Sequence, residues 1–224
     1  MLNYTLTRSN RKTISIHIRN DTVEVRAPLK CPKSYIDEFV VSKEKWITDK
    51  LAISHKQVEG KKAFTLDYGS EIYFCGTLYS IVARASSRAG FDGECFYMPP
   101  NLTSEQIKQT CINAYRRLAK IRFINAVVDY APKLGVSPTA IKINSAKTRW
   151  GSCSSKKSLN FSWRLVMADN DVIDYVVVHE LAHILQMNHS SKFWAIVEGV
   201  LPDYKKRQAK LKELQRRLSA EDWE

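Results

Sequence analysis

The sequence predicts an α+β fold, in which a β-rich region with one helix precedes a half built from long helices and a small mixed sheet. Three patterns lead to this prediction. Residues 13–18 and 22–26 alternate apolar and polar side chains, as strands with one buried face do. Residues 107–128 repeat apolar side chains at the spacing of one helix face. Residues 140–165 return to short extended segments before further helical patterns follow.

The first hundred residues are predicted to form a hairpin, a helix and several short strands. Residues 13–18 and 22–26 pair through a turn at residues 20–21. Apolar side chains at helical spacing then predict an amphipathic helix from residue 33 to about 55, and the polar residues 55–62 a connector. Short apolar runs separated by glycines predict strands over residues 64–68, 71–74, 79–84 and 95–98.

The proline pair at residues 99–100 is the best candidate for a boundary between two parts of the chain. We therefore predict a β-rich N-terminal region with one helix over residues 1–100 and a second domain over residues 101–224. Thr103 followed by Gln106 is the sequence signature of a capping box, so a long helix is expected to begin there.

The segment after the long helix carries the predicted small sheet. Pro132 should end or kink the helix, and Gly135 should close it. Residues 140–144 are typical of a strand, residues 151–157 of a small-residue turn, and residues 159–165 of a strand that returns from it. The final segments predict two amphipathic helices, separated by Pro202.

A His-Glu-x-x-His pattern at His179, Glu180 and His183 lies in a segment of helical character. Residues four apart on a helix share a face, so His179 and His183 can direct two imidazoles at one metal ion. Glu180 can reach a water molecule on that ion without being a ligand, which is the arrangement of zinc hydrolases.

The third metal ligand is predicted to be His189. It follows His183 by six residues, which is the spacing of the long motif H-E-x-x-H-x-x-G-x-x-H. Gln186 stands where that motif has glycine, so we expect the helix to end at Asn188, a residue type that tolerates the left-handed conformation. Glu198 on the following helix is the alternative third ligand.

Composition limits the classes of protein that the chain can belong to. With 44% hydrophobic and 26% charged residues it is typical of a globular protein, and no apolar run approaches the length of a membrane-spanning helix, so no membrane partner is expected. The five cysteines are dispersed without a C-x-x-C pair, and no secretory signal is apparent, which together favour the cytoplasm. The formal charge of +12 suits anionic partners, but no nucleic-acid-binding motif accompanies it.

A set of motifs across the chain resembles the YgjP-like metal-dependent hydrolases, which are relatives of the WLM and SprT-like zincin metallopeptidases. The Arg-Trp-Gly-Ser-Cys stretch together with His-Glu-Leu-Ala-His is far more specific than His-Glu-x-x-His alone. The motifs are KTRWGSCS at residues 147–154, LNFSWRL at 159–165, VIDYVVVHELAH at 172–183, NHS at 188–190 and FW at 193–194.

The resemblance implies a zincin-like catalytic half that contains a long helix, a small mixed sheet, the motif helix and C-terminal helices. It also implies one Zn²⁺ ion, or another divalent metal, with His179, His183 and His189 as ligands and Glu180 as catalytic base. Members of the family are described as predicted metallopeptidases, and some are linked to hydrolysis of nucleoside triphosphates. The resemblance therefore leaves the substrate open between a peptide or protein and a nucleotide.

The leading hypothesis is a zinc-dependent peptidase in which Glu180 takes the proton of a metal-activated water. Arg149 and Arg164 are candidates for binding the substrate and stabilising negative charge, although both could equally pair with carboxylates. The alternative is a metal-dependent nucleoside-triphosphate pyrophosphatase, which paired arginines and the positive charge would suit. A nucleic-acid-associated module with a structural metal is the third hypothesis.

Overall fold

A computed structural model describes residues 2–19 and 21–223, and within them the α+β prediction is confirmed: six helices accompany three small mixed sheets. The chain divides into two compact units. The first contains the described residues up to Phe64 together with Arg217–Asp222, and the second contains Thr65–Arg216 with Trp223. The two units are defined by contacts and not by function, so the catalytic domain over residues 101–224 stays a prediction.

The first unit is a three-stranded sheet packed against two helices. Val23 and Val25 alternate with half-buried residues along the central strand and are 4% and 0% exposed, so one face of the sheet forms the core of the unit. The central strand, β3, pairs in parallel with β1 and antiparallel with β2. The elements are β1 (Thr5–Ser9), β2 (Ser15–Arg19), β3 (Thr22–Pro28), α1 (Lys33–Ser42) and α2 (Glu44–Ala63).

The structure confirms the hairpin and corrects the helix that follows it. Asp21 has a φ of 60°, which suits the predicted turn, whereas Asn20 lies outside the described residues. The helix predicted over residues 33–55 is two helices, because the backbone at Lys43 departs from helical geometry. The predicted connector is wrong: residues 55–62 remain helical, since most of these polar residues are good helix formers.

The second unit begins with a four-stranded sheet in the order β4-β5-β7-β6 and continues with a three-stranded sheet in the order β8-β10-β9. Residues 64–68 form no strand, whereas residues 151–153, predicted as a turn, form the edge strand β9. The strands are β4 (Glu71–Phe74), β5 (Thr77–Ala83), β6 (Gly90–Phe91), β7 (Phe96–Met98), β8 (Ala140–Asn144), β9 (Gly151–Cys153) and β10 (Ser158–Ser162).

The long helix of the second unit has the predicted capping box, formed by Thr103 and Gln106, and ends at Gly135 with a φ of 63°. Pro132 neither ends it early nor prevents two further helical residues. The helices are α3 (Ser104–Leu134), α4 (Asn170–Ala182), α5 (Ser191–Val200) and α6 (Tyr204–Ser219), and a short 3₁₀ helix covers Trp163–Met167.

Helix α4 is held against α3 by an ion pair between their polar faces. Arg122 of α3 donates to a carboxylate oxygen of Asp174 at 2.6 Å, and the hydroxyl of Tyr130 donates to the other oxygen at 3.1 Å. Both charged side chains are about four-fifths buried, so the pair ties α4 to α3 in a largely water-excluded place. Among the helices of the described residues, none combines the length and the hydropathy that a bilayer-spanning segment requires.

Candidate metal centre

The motif histidines lie where α4 ends. Asp169 is the N-cap residue of the helix, and the valines at 176–178 are at most 3% exposed, so the helix is fixed by burial on several sides. His179 lies in its last turn and His183 is the C-cap residue. The helix ends at Ala182, before the residue Asn188 that we expected to end it, and Asn188 has no positive φ. Tight turn hydrogen bonds, such as Ile184 N–H to Leu181 O at 3.0 Å, change the chain direction instead.

Three imidazoles converge at this point. One ring nitrogen from each of His179, His183 and His189 lies within 4.8 Å of the other two. The Nε2 atoms of His179 and His189 are 3.0 Å apart, and the three ring centroids are separated by 4.8 to 5.0 Å. The predicted alternative, Glu198, is exposed on α5 and does not belong to this group.

The tautomer of His183 is fixed by a backbone hydrogen bond. Its Nδ1 lies 3.1 Å from the carbonyl oxygen of Gln186, and because a carbonyl only accepts, Nδ1 must carry the proton. The Nε2 atom of His183 is therefore left with a free lone pair, as a metal ligand requires. Gln186, which replaces the glycine of the long motif, thus orients a ring of the site through its main chain.

A floor of aromatic side chains supports the three rings, and sequence reasoning missed its role. Phe193, fully buried on α5, has its ring centroid 4.6 to 4.8 Å from the centroids of all three histidines. The ring of Trp194 stacks on His189 at an interplanar angle of 24° and also on the ring of Tyr204 at 17°. Such contacts restrict the ring orientations. Only the closeness of Phe193 and Trp194 to His189 in sequence could have indicated this.

Burial keeps the imidazoles of His179 and His183 neutral. It lowers the pKa of His179 to about 3, with further lowering by His183 and His189, and it also lowers the pKa of His183. The unprotonated form that binds a metal is therefore the form present at neutral pH. A metal ion therefore need not displace a proton from His179 or His183 when it binds.

Glu180 is a buried carboxyl beside the first histidine. It is 5% exposed, and burial raises its pKa to about 7 against the opposing charge of Arg149. The backbone of Gly151, in the edge strand β9, packs directly against its side chain. A carboxyl with a pKa near neutrality can both accept and return a proton.

The two predicted substrate-binding arginines occupy different environments. Arg149 is exposed and is near enough to Glu180 for its charge to lower the pKa of that carboxyl. Arg164 is buried, donates to the carbonyl oxygens of Ser145 at 2.9 Å and Trp223 at 3.2 Å, and lies over the ring of Trp163. The guanidinium of Arg164 is thus committed to the protein backbone rather than to a carboxylate.

The donor set fits a divalent metal. A tetrahedral zinc ion with Zn–N bonds of about 2.1 Å separates its ligand nitrogens by about 3.4 Å. The Nε2 atoms of His179 and His189 are 3.0 Å apart, and a nitrogen of His183 lies within 4.8 Å of both rings' nitrogens, so small movements would bring all three to one ion. The Nδ1 atom of His179 is buried without a hydrogen-bond partner among the described residues, so its ring gains its polar interactions only through Nε2. Three neutral imidazoles with a carboxyl alongside form a recognised catalytic zinc environment.

Comparisons with known proteins identify a family. A sequence model described as YgjP-like, metallopeptidase domain, matches residues 12–214. No curated protein is significantly similar in sequence. Two solved structures are similar to part of this chain. The metallopeptidase zymogen abylysin of Pyrococcus abyssi is 24% identical over 44% of this chain and 96% of its own, with a TM-score of 0.38. The metallopeptidase zymogen jannalysin of Methanocaldococcus jannaschii is 23% identical over 41% of this chain and 94% of its own, with a TM-score of 0.37.

Proposed function

The chain belongs to the YgjP-like family of metallopeptidase domains and is a metal-dependent hydrolase, and we propose that it cleaves peptide bonds with one zinc ion held by His179, His183 and His189. The observation that supports this most is the convergence of three imidazole nitrogens within 4.8 Å, with Glu180 adjacent to the first of them in the chain. We assign Glu180 as the general base. The substrate is a peptide or protein.

The chain's own residues prepare the site for this reaction. A zinc ion held by three imidazoles supplies Lewis-acid chemistry, which polarises a carbonyl group and makes water more acidic. Glu180 takes the proton from the attacking water and returns it to the leaving amine. Burial raises the pKa of this carboxyl, which makes it a stronger base, and keeps bulk water from competing for the proton.

The edge strand β9 is the proposed support for the substrate backbone. It lies at the edge of the sheet β8-β10-β9, so alternate N–H and C=O groups on its outer side can pair with an extended peptide. Gly151 at the start of β9 is also the residue packed against Glu180. A peptide paired along β9 would therefore bring a bond to the carboxyl that acts on it.

Arg149 is the proposed partner for negative charge that develops on the substrate. It is exposed, and its charge reaches Glu180. We assign no such role to Arg164, because its guanidinium donates hydrogen bonds to two backbone carbonyls. The nucleoside-triphosphate alternative drew on the formal charge of +12 and on paired arginines near the metal. Because Arg164 binds backbone carbonyls, the pair is reduced to Arg149, and the peptide substrate is preferred.

The experiment compares zinc-reconstituted protein with two glutamate variants on a mixture of internally quenched peptides. Glu180→Gln should keep its metal and lose about 10²-fold or more in rate, because the general base is removed. Glu198→Gln is the matched control, since Glu198 is exposed on α5 outside the site, and should retain activity. Release of pyrophosphate from ATP without peptide cleavage would contradict the peptide substrate, and full activity of Glu180→Gln would contradict the assigned base.

A further inference from the structure

A groove on the first unit lies between the edge strand β2 and the helix α2. It has a volume of about 810 Å³. Strand β2 contributes four consecutive residues, 16–19, and α2 contributes residues between Trp46 and Lys62 that recur at helical spacing. We call it the α2–β2 groove. It is a trough with a strand along one side and a helix along the other.

The strand side of the groove offers unpaired backbone groups. In the sheet order β1-β3-β2, no strand of the described residues pairs with the outer edge of β2. Alternate residues of an antiparallel edge strand direct their N–H and C=O groups away from the sheet. An extended peptide can satisfy those groups by adding as a further strand.

Apolar side chains form part of the groove lining. Ile16 and Ile18 of β2 are half-buried, and Trp46 and Ile53 of α2 are 45% and 50% exposed. Large apolar side chains at that exposure on a groove wall provide area that an occupant could bury. Because these apolar residues are aliphatic apart from the indole ring of Trp46, they suit aliphatic side chains more than a series of stacked bases.

The charges that line the groove are all positive. Arg19 stands at the end of β2, and Lys50, Lys61 and Lys62 extend along α2. Neither aspartate nor glutamate occurs among the described residues that line it. The complementary occupant carries carboxylates, which these cations would attract during association and hold in register.

We propose that the α2–β2 groove binds an extended acidic segment of a partner protein, added as a strand beside β2. Trp46, Lys50, Ile53 and Lys61 share one face of α2, so a strand added beside β2 would lie along both the apolar and the basic side chains. Its apolar residues can meet Ile53 and Trp46, and its acidic residues can reach Lys50 and Lys61. A single-stranded nucleic acid is a poorer match, since its backbone has no amide ladder to pair with β2. This site lies in the first unit and does not depend on the proposed hydrolytic reaction.

The test measures fluorescence anisotropy of a labelled peptide of about eight residues that alternates valine and glutamate, long enough to span β2 at about 3.3 Å per residue. The full chain carrying Glu180→Gln is used so that cleavage cannot interfere. Three competitors define the mode: a valine–lysine peptide, the valine–glutamate peptide N-methylated at alternate amides, and oligothymidylate. The double variant Lys50→Glu/Lys61→Glu is compared with Lys45→Glu/Lys56→Glu, which makes the same charge change on exposed residues of α2 outside the groove.

We expect saturable binding that Lys50→Glu/Lys61→Glu weakens by about tenfold or more, while the control pair changes it by less than about twofold. N-methylation should weaken it by about tenfold or more as well, because ladder hydrogen bonds are lost. Circular dichroism of each variant verifies that it is folded. Absence of saturable binding, equal weakening by both pairs, equal binding of the lysine or N-methylated peptide, or tighter binding of oligothymidylate would each overturn the proposal.

Discussion

Gly151 of the edge strand and Glu180 of the motif helix are packed so closely that no side chain fits between them. A Cβ atom at residue 151 would lie 2.6 Å from both Cγ and Oε1 of Glu180. The strand that precedes the site therefore sets the position of the carboxyl through a backbone contact. Glycine is required here for close approach, not for an unusual backbone angle.

Gly151→Ala should displace the Glu180 side chain and lower kcat by about tenfold or more, since a shift of about 1 Å at a catalytic group is costly. Metal content should stay unchanged, because the three atoms nearest to the added Cβ all belong to Glu180 rather than to a histidine. The control is Gly199→Ala on α5, where a Cβ would meet nothing within 4 Å. In that helix alanine should leave activity unchanged and raise stability by about 0.5–1 kcal/mol. Equal activity of the two variants would show that the contact is unimportant.

Arg149→Gln should raise the pKa of Glu180 in the metal-free protein. Burial raises that pKa to about 7, and the positive charge of Arg149 lowers it, so removing the charge removes the lowering. The side-chain carboxyl ¹³C resonance of Glu180, assigned by its loss in Glu180→Gln, should then titrate at higher pH than in the unaltered protein. Lys142→Gln removes an exposed cation that does not affect this pKa and should leave the titration in place. A titration at lower pH in Arg149→Gln would contradict the assigned proximity.

Asp174→Asn should destabilise the protein by about 1.5–3 kcal/mol in urea unfolding, because a charged hydrogen bond to Arg122 and a second to Tyr130 are weakened in a largely buried place. Asp203→Asn is the matched change in the pair with Arg207, where the aspartate is 45% exposed, and it should cost below about 1 kcal/mol. Equal losses of unfolding free energy in the two variants would show that the Arg122–Asp174 pair stabilises the protein no more than the pair with Arg207 does.

Local sequence patterns were sufficient where the determining contacts are local. The capping box at Thr103 and Gln106, the closing Gly135 and the pairing of β2 with β3 depend on neighbouring residues, and the structure confirms them. The break at Lys43 was missed because its residue type is an ordinary helix former, so the pattern of apolar residues continued across it. Residues 151–153 are predicted as a turn because small residues are typical of turns. Small residues also suit an edge strand packed against a helix, and this is what the structure shows.

The site shows the same division between local and distant contacts. Spacing alone grouped His179, His183 and His189, which the structure brings together, while their role as ligands stays a prediction. The environment of Arg164 could not be read from spacing, because the carbonyls it contacts belong to residues 19 and 59 positions away. The support that Phe193 gives to all three rings likewise depends on how α5 returns to the site.

The most direct measurement is the metal content of the purified protein, determined by mass spectrometry after zinc reconstitution and dialysis, alongside His189→Ala and Glu198→Ala. We expect one zinc ion per chain in the unaltered protein and in Glu198→Ala, and loss of the ion from His189→Ala, because removal of one of three imidazoles leaves too few ligands to retain it. No bound metal in the folded, unaltered protein, or a stoichiometric ion in His189→Ala with loss from Glu198→Ala, would contradict the three-imidazole centre.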